Sequence, residues 1–303
     1  MRVLVTGGNG YIGSHVAGKL ASNGYDVLAT WRRERDRLSA LEVDLEVEQL
    51  DILDSVMVNR LVRSFAPEAI VHTAALVTSR ESVSELSSLV EANIAATSRL
   101  AAAACATDCS RFVFTSSISV YGARNASSSG CTEDDANPDS LYGWSKLVGE
   151  ELLQHMAAVN TSFSPVSLRL AGVHGGVRSS GALYRFAMAA LNNTPIEVLE
   201  PTSLFRWTFI DDVVQSIEKA LLLSNSNRHR VFNIASADSF TLLQLVEKIV
   251  GITNSNSTIS MPSDAPLRSS VMNIDRAINE LGFSPTSLET GLKNYFEALR
   301  RTP

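Results

Sequence analysis

Seven residues near the N-terminus, Gly7-Gly8-Asn9-Gly10-Tyr11-Ile12-Gly13, constrain the fold of this 303-residue chain more than any other feature. They follow a β-branched run, Arg2–Thr6, and open a stretch of helical periodicity over residues 11–23 that Gly24 closes. Glycines between a strand and a helix permit a tight turn, close approach of a pyrophosphate to the backbone, and close packing of helix on strand. The helix N-terminus then offers unpaired N–H groups to phosphate. The expectation is a dinucleotide site with Gly7, Gly10, Tyr11, Ile12 and Gly13 along the cofactor.

The rest of the first half keeps the same rhythm. Strand patterns fall at 26–30, 46–50, 69–72, 111–115 and 165–170, and helical patterns at 54–65, 85–106 and 141–159. Alternation of this kind predicts an α/β fold: a doubly wound parallel sheet with helices on both faces. Beyond Leu170 the pattern breaks up around Gly172, Gly175, Gly176, Gly181, Pro195 and Pro201, before a strand at 230–234 and a helix at 241–250. The expected division is a Rossmann domain of 1–170 plus about 205–235, and a smaller discontinuous substrate lobe of about 171–204 plus 236–303.

A net charge of −6 gives no basic surplus for nucleic acid. The N-terminal apolar run is too short for a signal peptide, and residues 94–106 carry Arg99 and are too short to span a bilayer. A cytoplasmic protein without a membrane partner is expected. Cys105, Cys109 and Cys131 are an odd number, which suggests neither a disulfide framework nor, lacking nearby ligands, a metal site.

The second strand sets the cofactor expectation. A carboxylate at its end would accept hydrogen bonds from the adenosine ribose of NAD, but the chain reads Ala29-Thr30-Trp31-Arg32-Arg33. Guanidinium groups suit a 2′-phosphate, so NADP(H) is expected through Arg32 or Arg33, with NAD(H) as the alternative. The competing reading makes these arginines the start of a solvated run over 32–37.

Tyr142-Gly143-Trp144-Ser145-Lys146 opens a helix, which puts Tyr142 and Lys146 on one face at i and i+4. A phenol is a poor base near neutrality, and a neighbouring ammonium favours its phenolate. Ser117, ending the fifth strand, is placed to hydrogen-bond the same substrate oxygen. Ser117, Tyr142 and Lys146 are therefore the catalytic candidates, Ser117 and Tyr142 also touching substrate.

With these pieces in order, the chain resembles an extended short-chain dehydrogenase/reductase of the NAD-dependent epimerase/dehydratase group. The matching stretches include Gly7 to Gly13, Asp51-Ile52, His72-Thr73-Ala74-Ala75, Asn93, residues 115–122, Tyr142 to Lys146, 169–175, 209–213 and 232–235. The resemblance implies that Asp51 and Ile52 lie beside the adenine and Ala74 and Ala75 along the cofactor. It also implies that Lys146 holds the nicotinamide ribose, and that Asn93 fixes backbone and water near the site. It further implies a homodimer packed through residues 85–106 and 141–159.

Three departures bear on chemistry. Ile118 and Ser119 stand where the dehydratases of this group carry Asp-Glu, so dehydration is not expected. Gly172 stands where nucleotide-sugar members have an Asn that touches phosphate. Phe205-Arg206-Trp207 displaces an expected arginine by one position. Arg268, ahead of Asn273-Ile274-Asp275, matches an arginine that often holds the nucleotide portion of the substrate. The leading expectation is an NADPH-dependent reductase of a nucleotide-linked keto-deoxy sugar. The alternatives are an NAD-dependent sugar-nucleotide epimerase, a carbonyl reductase on a non-sugar substrate, and a non-catalytic dinucleotide sensor.

Overall fold

The computed structural model describes residues 1–77, 83–122, 130–176, 181–226, 228–262 and 269–301. Seven strands form one parallel sheet: β1 (Arg2–Thr6), β2 (Asp26–Trp31), β3 (Glu46–Gln49), β4 (Ala69–His72), β5 (Arg111–Ser117), β6 (Ser164–Leu170) and β7 (Arg230–Ile234). Their spatial order is β7-β6-β5-β4-β1-β2-β3, so the direction of winding reverses beside β1. That reversal opens a crevice at the carboxyl ends of β1 and β4, where ligands of doubly wound sheets bind.

Alternating side chains feed two apolar layers. Val3, Val5, Val71 and Val113 face α1 (Tyr11–Ser22) and the helix Ile210–Leu222. Leu4, Ile70, Phe112 and Phe114 face α2 (Ser55–Phe65), α3 (Ala96–Cys105) and α4 (Leu141–Val159). Asp54 caps α2 by accepting from the Val56 and Met57 amides, and the left-handed Ala66 stops it just before Pro67.

The helix expected over 85–106 is not uniform. An α-helical piece, Val83–Leu89, passes into a π-helical turn at Val90–Ala95 before α3. This turn carries Asn93 inward. A separate apolar core gathers Phe186, Trp207, Phe240, Ile249, Leu292 and Phe296 from the second half. Among the described residues no helix is long and apolar enough to cross a membrane. Cys105, Cys109 and Cys131 form no disulfide.

Candidate active site

The glycine loop leaves β1 with Gly7 in the left-handed region (φ 71°), where a side chain would also collide with Ala74. A Cβ on Gly13 would lie 2.1 Å from the Gly7 carbonyl oxygen, so the first turn of α1 packs directly on the loop. Gly7 and Gly10 line a cavity of about 650 Å³, together with Thr30, Trp31, Arg32, Arg33, Leu50, Ile52, Leu53, Ala74 and Ala75. A second cavity, of about 320 Å³, contains Tyr11, Ile12, Gly13, Thr115, Ser117, Tyr142 and Lys146. Gly10, Thr73 and Ala75 border both, so the two form one elongated cleft bent over the loop. A backbone cradle with two lobes fits a dinucleotide.

Most residues singled out from the sequence gather here. Arg32 and Arg33 line the larger lobe and are exposed. The Asp51 carboxylate accepts the Leu53 amide at 3.0 Å and so shapes the turn that carries Ile52. Tyr11 donates its hydroxyl to the Gly175 carbonyl at 2.7 Å, tying α1 to the loop after β6. Arg268 lies outside the described residues.

Asn93 is a clamp. Its Oδ1 accepts the Leu76 amide at 2.8 Å, and its Nδ2 donates to the Leu76 carbonyl at 2.9 Å and to Ser145 Oγ at 3.0 Å. Ser145 in turn donates to the Tyr142 carbonyl. The π turn thus joins the loop after β4 to the start of α4. Such turns are frequent at functional sites.

Ser117 ends β5 and accepts the Ser119 amide, while its side chain hydrogen-bonds Tyr142. Lys146 is buried, donates Nζ to the Thr115 carbonyl at 2.9 Å, and lies 4.6 Å over the Phe114 ring. Burial depresses it to about 8, with the Glu150 carboxylate acting the other way. Its Nζ stands 5.9 Å from the Tyr142 ring centroid. The expected lowering of the phenol by this ammonium is corrected here: burial pushes Tyr142 up to about 12, against the opposing hydrogen bond with Ser117. Desolvation outweighs a partner held at that distance.

Beneath these groups lies a buried polar frame that the sequence reading did not find. Arg169 grips Glu150 through Nε and Nη2, the latter at 2.6 Å, and Ser116 donates to the same carboxylate. Arg169 also donates to Tyr121 Oη at 2.9 Å and to the Glu133 carbonyl at 2.7 Å. Thr97 donates to the Asn93 carbonyl, so His72 Nε2 donates to Thr97. Burial holds His72 down at about 3, and in the resulting neutral ring Nδ1 accepts from Thr6. The His72-Thr73 pair within the quoted motif was the available signal; the partners of Glu150 and Arg169 left none.

The departures have structural consequences. Gly172 is exposed, and His174 stacks on Trp207 with ring centroids 3.8 Å apart. Arg206 donates Nη1 to the Met272 carbonyl at 3.0 Å, while its buried Nε has no protein partner among the described residues. Phe205 packs at the edge of the second core. No cluster of three or more metal-ligating side chains occurs among the described residues.

Comparison with known proteins agrees with this geometry. Residues 3–235 match the model of the NAD dependent epimerase/dehydratase family. UDP-glucuronate 4-epimerase 1 of Arabidopsis thaliana is 28% identical, over 97% of this chain and 75% of its own. The UDP-glucose 4-epimerase of Thermotoga maritima, solved with UDP-glucose, superimposes with a TM-score of 0.86 at 28% identity, covering 100% of this chain and 99% of that one. The UDP-glucuronic acid 4-epimerase of Bacillus cereus, solved with UDP-glucuronic acid and NAD, gives 0.86 at 26% identity and covers 100% of both chains.

Proposed function

Because the chain belongs to the NAD dependent epimerase/dehydratase family, we propose that this enzyme interconverts the 4-epimers of a UDP-sugar, with NAD as a cofactor that is regenerated in each cycle. The observation that carries the reading is the Ser117–Tyr142–Lys146 cluster opening onto a cleft continuous with the glycine loop. The reductase expectation yields to this one, since relatives that match along nearly the whole chain include UDP-glucuronate and UDP-glucose 4-epimerases.

NAD, which the glycine loop, Ala74, Ala75 and Lys146 would hold, would supply a reversible hydride acceptor for the carbon that bears the reacting oxygen. Ser117 donates a hydrogen bond to the reacting substrate oxygen. Tyr142 takes the proton from that oxygen and later returns it, with the Ser117 hydrogen bond opposing the rise that burial imposes. Lys146, fixed by Thr115 and Phe114, supplies a localised charge and a donor for the cofactor ribose. Asn93 keeps the Leu76 loop and the α4 start in register. Ile118 and Ser119 offer no acid–base pair for dehydration.

A second reading concerns the cofactor. Trp31, Arg32 and Arg33 line the adenosine end of the cleft, and no carboxylate ends β2 there. NADP is the alternative on that ground, and the Bacillus cereus neighbour named above, solved with NAD, supports NAD. Titration with each dinucleotide decides it: under this second reading Arg32→Ala weakens NADP selectively, and equal weakening of both removes it. A homodimer packed through residues 85–106 and 141–159 and a cytoplasmic location belong to the same proposal. Ala96 is fully buried within the chain, so Val148→Glu, on a half-buried site, is the sounder light-scattering test.

The main reading is tested by incubating the purified enzyme with UDP-glucose or UDP-glucuronic acid. Appearance of the 4-epimer with no net change in nicotinamide absorbance supports it; net consumption of NADPH with a reduced sugar product returns the reductase.

A further inference from the structure

Lys146 is a buried ammonium whose contacts are a carbonyl and aromatic rings. Its Nζ donates to Thr115 and faces Phe114, and no ion pair reaches it among the described residues. A cation taken out of water needs an opposite charge nearby to stay a cation. Glu150, also buried, lies one turn further along α4 at i+4, and its charge favours the ammonium against that burial.

The same carboxylate reaches across to β5. Ser116 donates to it, and Ser116 stands between Thr115, whose carbonyl receives Lys146, and Ser117, which bonds Tyr142. From β6, Arg169 holds both carboxylate oxygens through Nε and Nη2, and is itself tied to Tyr121 and to the Glu133 carbonyl. The carboxylate is therefore fixed from three elements. The other titratable groups around it are Tyr142 on α4, His72 on β4, which feels Lys146, and His229 just before β7, which feels Glu150 and Arg169. Burial holds both imidazoles neutral.

We infer that Glu150 is a positioning residue for the reaction: through Ser116 it sets the end of β5 against α4, and from one helical turn away it supplies the counter-charge to Lys146. This rests on the catalytic roles given above to Ser117, Tyr142 and Lys146. The pH dependence has a definite sign. Lys146 stands at about 8 and gives up its proton as pH rises through that value. Removing the Glu150 charge lowers it further, so the ammonium is lost at a lower pH and the acid side is untouched.

The test uses the full chain loaded with NAD. Glu150→Gln keeps the shape and an oxygen for Ser116 and removes the charge. The alkaline limb of kcat for a UDP-sugar is expected to move down by about one pH unit, a roughly tenfold loss above the limb and little below it, with KM and NAD content unchanged. Ser116→Ala keeps the charge and loses the tether, so kcat should fall at every pH while the limb stays in place; wild-type kcat in Ser116→Ala overturns the tether. Should Glu150→Gln fold poorly beside Arg169, Glu150→Gln combined with Arg169→Gln removes both charges, and the same displacement is expected. A readout independent of turnover is the titration of Lys146 by NMR of lysines labelled at Cε, its signal identified by its loss in Lys146→Arg. A titration displaced to lower pH in Glu150→Gln supports the inference. A titration and a kcat limb that both stay at the wild-type pH overturn it, and leave the Glu150–Arg169 pair as structural support alone. If the wild type forms no 4-epimer, the epimerase reading fails, and the Lys146 titration by itself decides whether Glu150 is the counter-charge.

Discussion

Removing the Tyr142 hydroxyl deletes one oxygen from a site whose remaining contacts stay in place. Tyr142→Phe should therefore retain cofactor and lose turnover by roughly 10²–10⁴-fold, the usual contribution of positioned proton transfer. Turnover near that of the wild type, measured beside cofactor content, would show that the phenol is not the proton carrier. At this scale the sequence was informative wherever a role depends on neighbours in the chain: the glycine loop, and Tyr142 with Lys146 one helical turn apart. It was silent wherever a role depends on partners far along the chain. Asn93 was singled out, but its hold on Leu76 and Ser145 spans separations of 17 and 52 residues, which no local spacing encodes. The weakened expectation for the phenol has the same origin, since burial comes from the whole fold.

The start of α4 is seated directly on the segment that follows β5. A Cβ on Gly143 would lie 2.1 Å from the Ser119 carbonyl oxygen, with no room on either backbone. Gly143→Ala should force these two elements apart, moving Tyr142 away from Ser117. The expected outcome is a loss of about 1–3 kcal/mol in denaturant unfolding and a fall in kcat of up to roughly a hundredfold. A fully active, fully stable variant would mean that the contact is looser than described. Strand and helix placement in the first half was legible because period-2 and period-3.6 patterns alternate cleanly. The π turn at Val90–Ala95 was not, because a single wider turn inside an Ala-rich helix leaves the apolar period almost unchanged.

Across the whole molecule, His72 links β1, β4 and the Asn93 turn while remaining uncharged. Its pKa in the folded chain is about 3, below the ordinary 6.5, so the unfolded chain binds the extra proton first as pH falls. The stability that it lends is complete above about pH 6.5 and is lost progressively toward pH 3, at about 1.4 kcal/mol per pH unit. Urea unfolding followed from pH 7 to pH 4 should show this slope, and His72→Gln should flatten it by about that amount. An identical slope in both proteins would place the acid sensitivity elsewhere. The sheet was readable at this scale, while the second core was hidden, because Phe186, Ile249 and Phe296 come from separated segments and meet only in the fold. The most direct measurement for the account as a whole uses a UDP-sugar carrying deuterium on carbon 4. If hydride leaves and returns within one site, the 4-epimer forms with the deuterium still on carbon 4 and with no reduced nucleotide released. Deuterium transferred to free nicotinamide, or a reduced sugar formed at the expense of added NADPH, would contradict it.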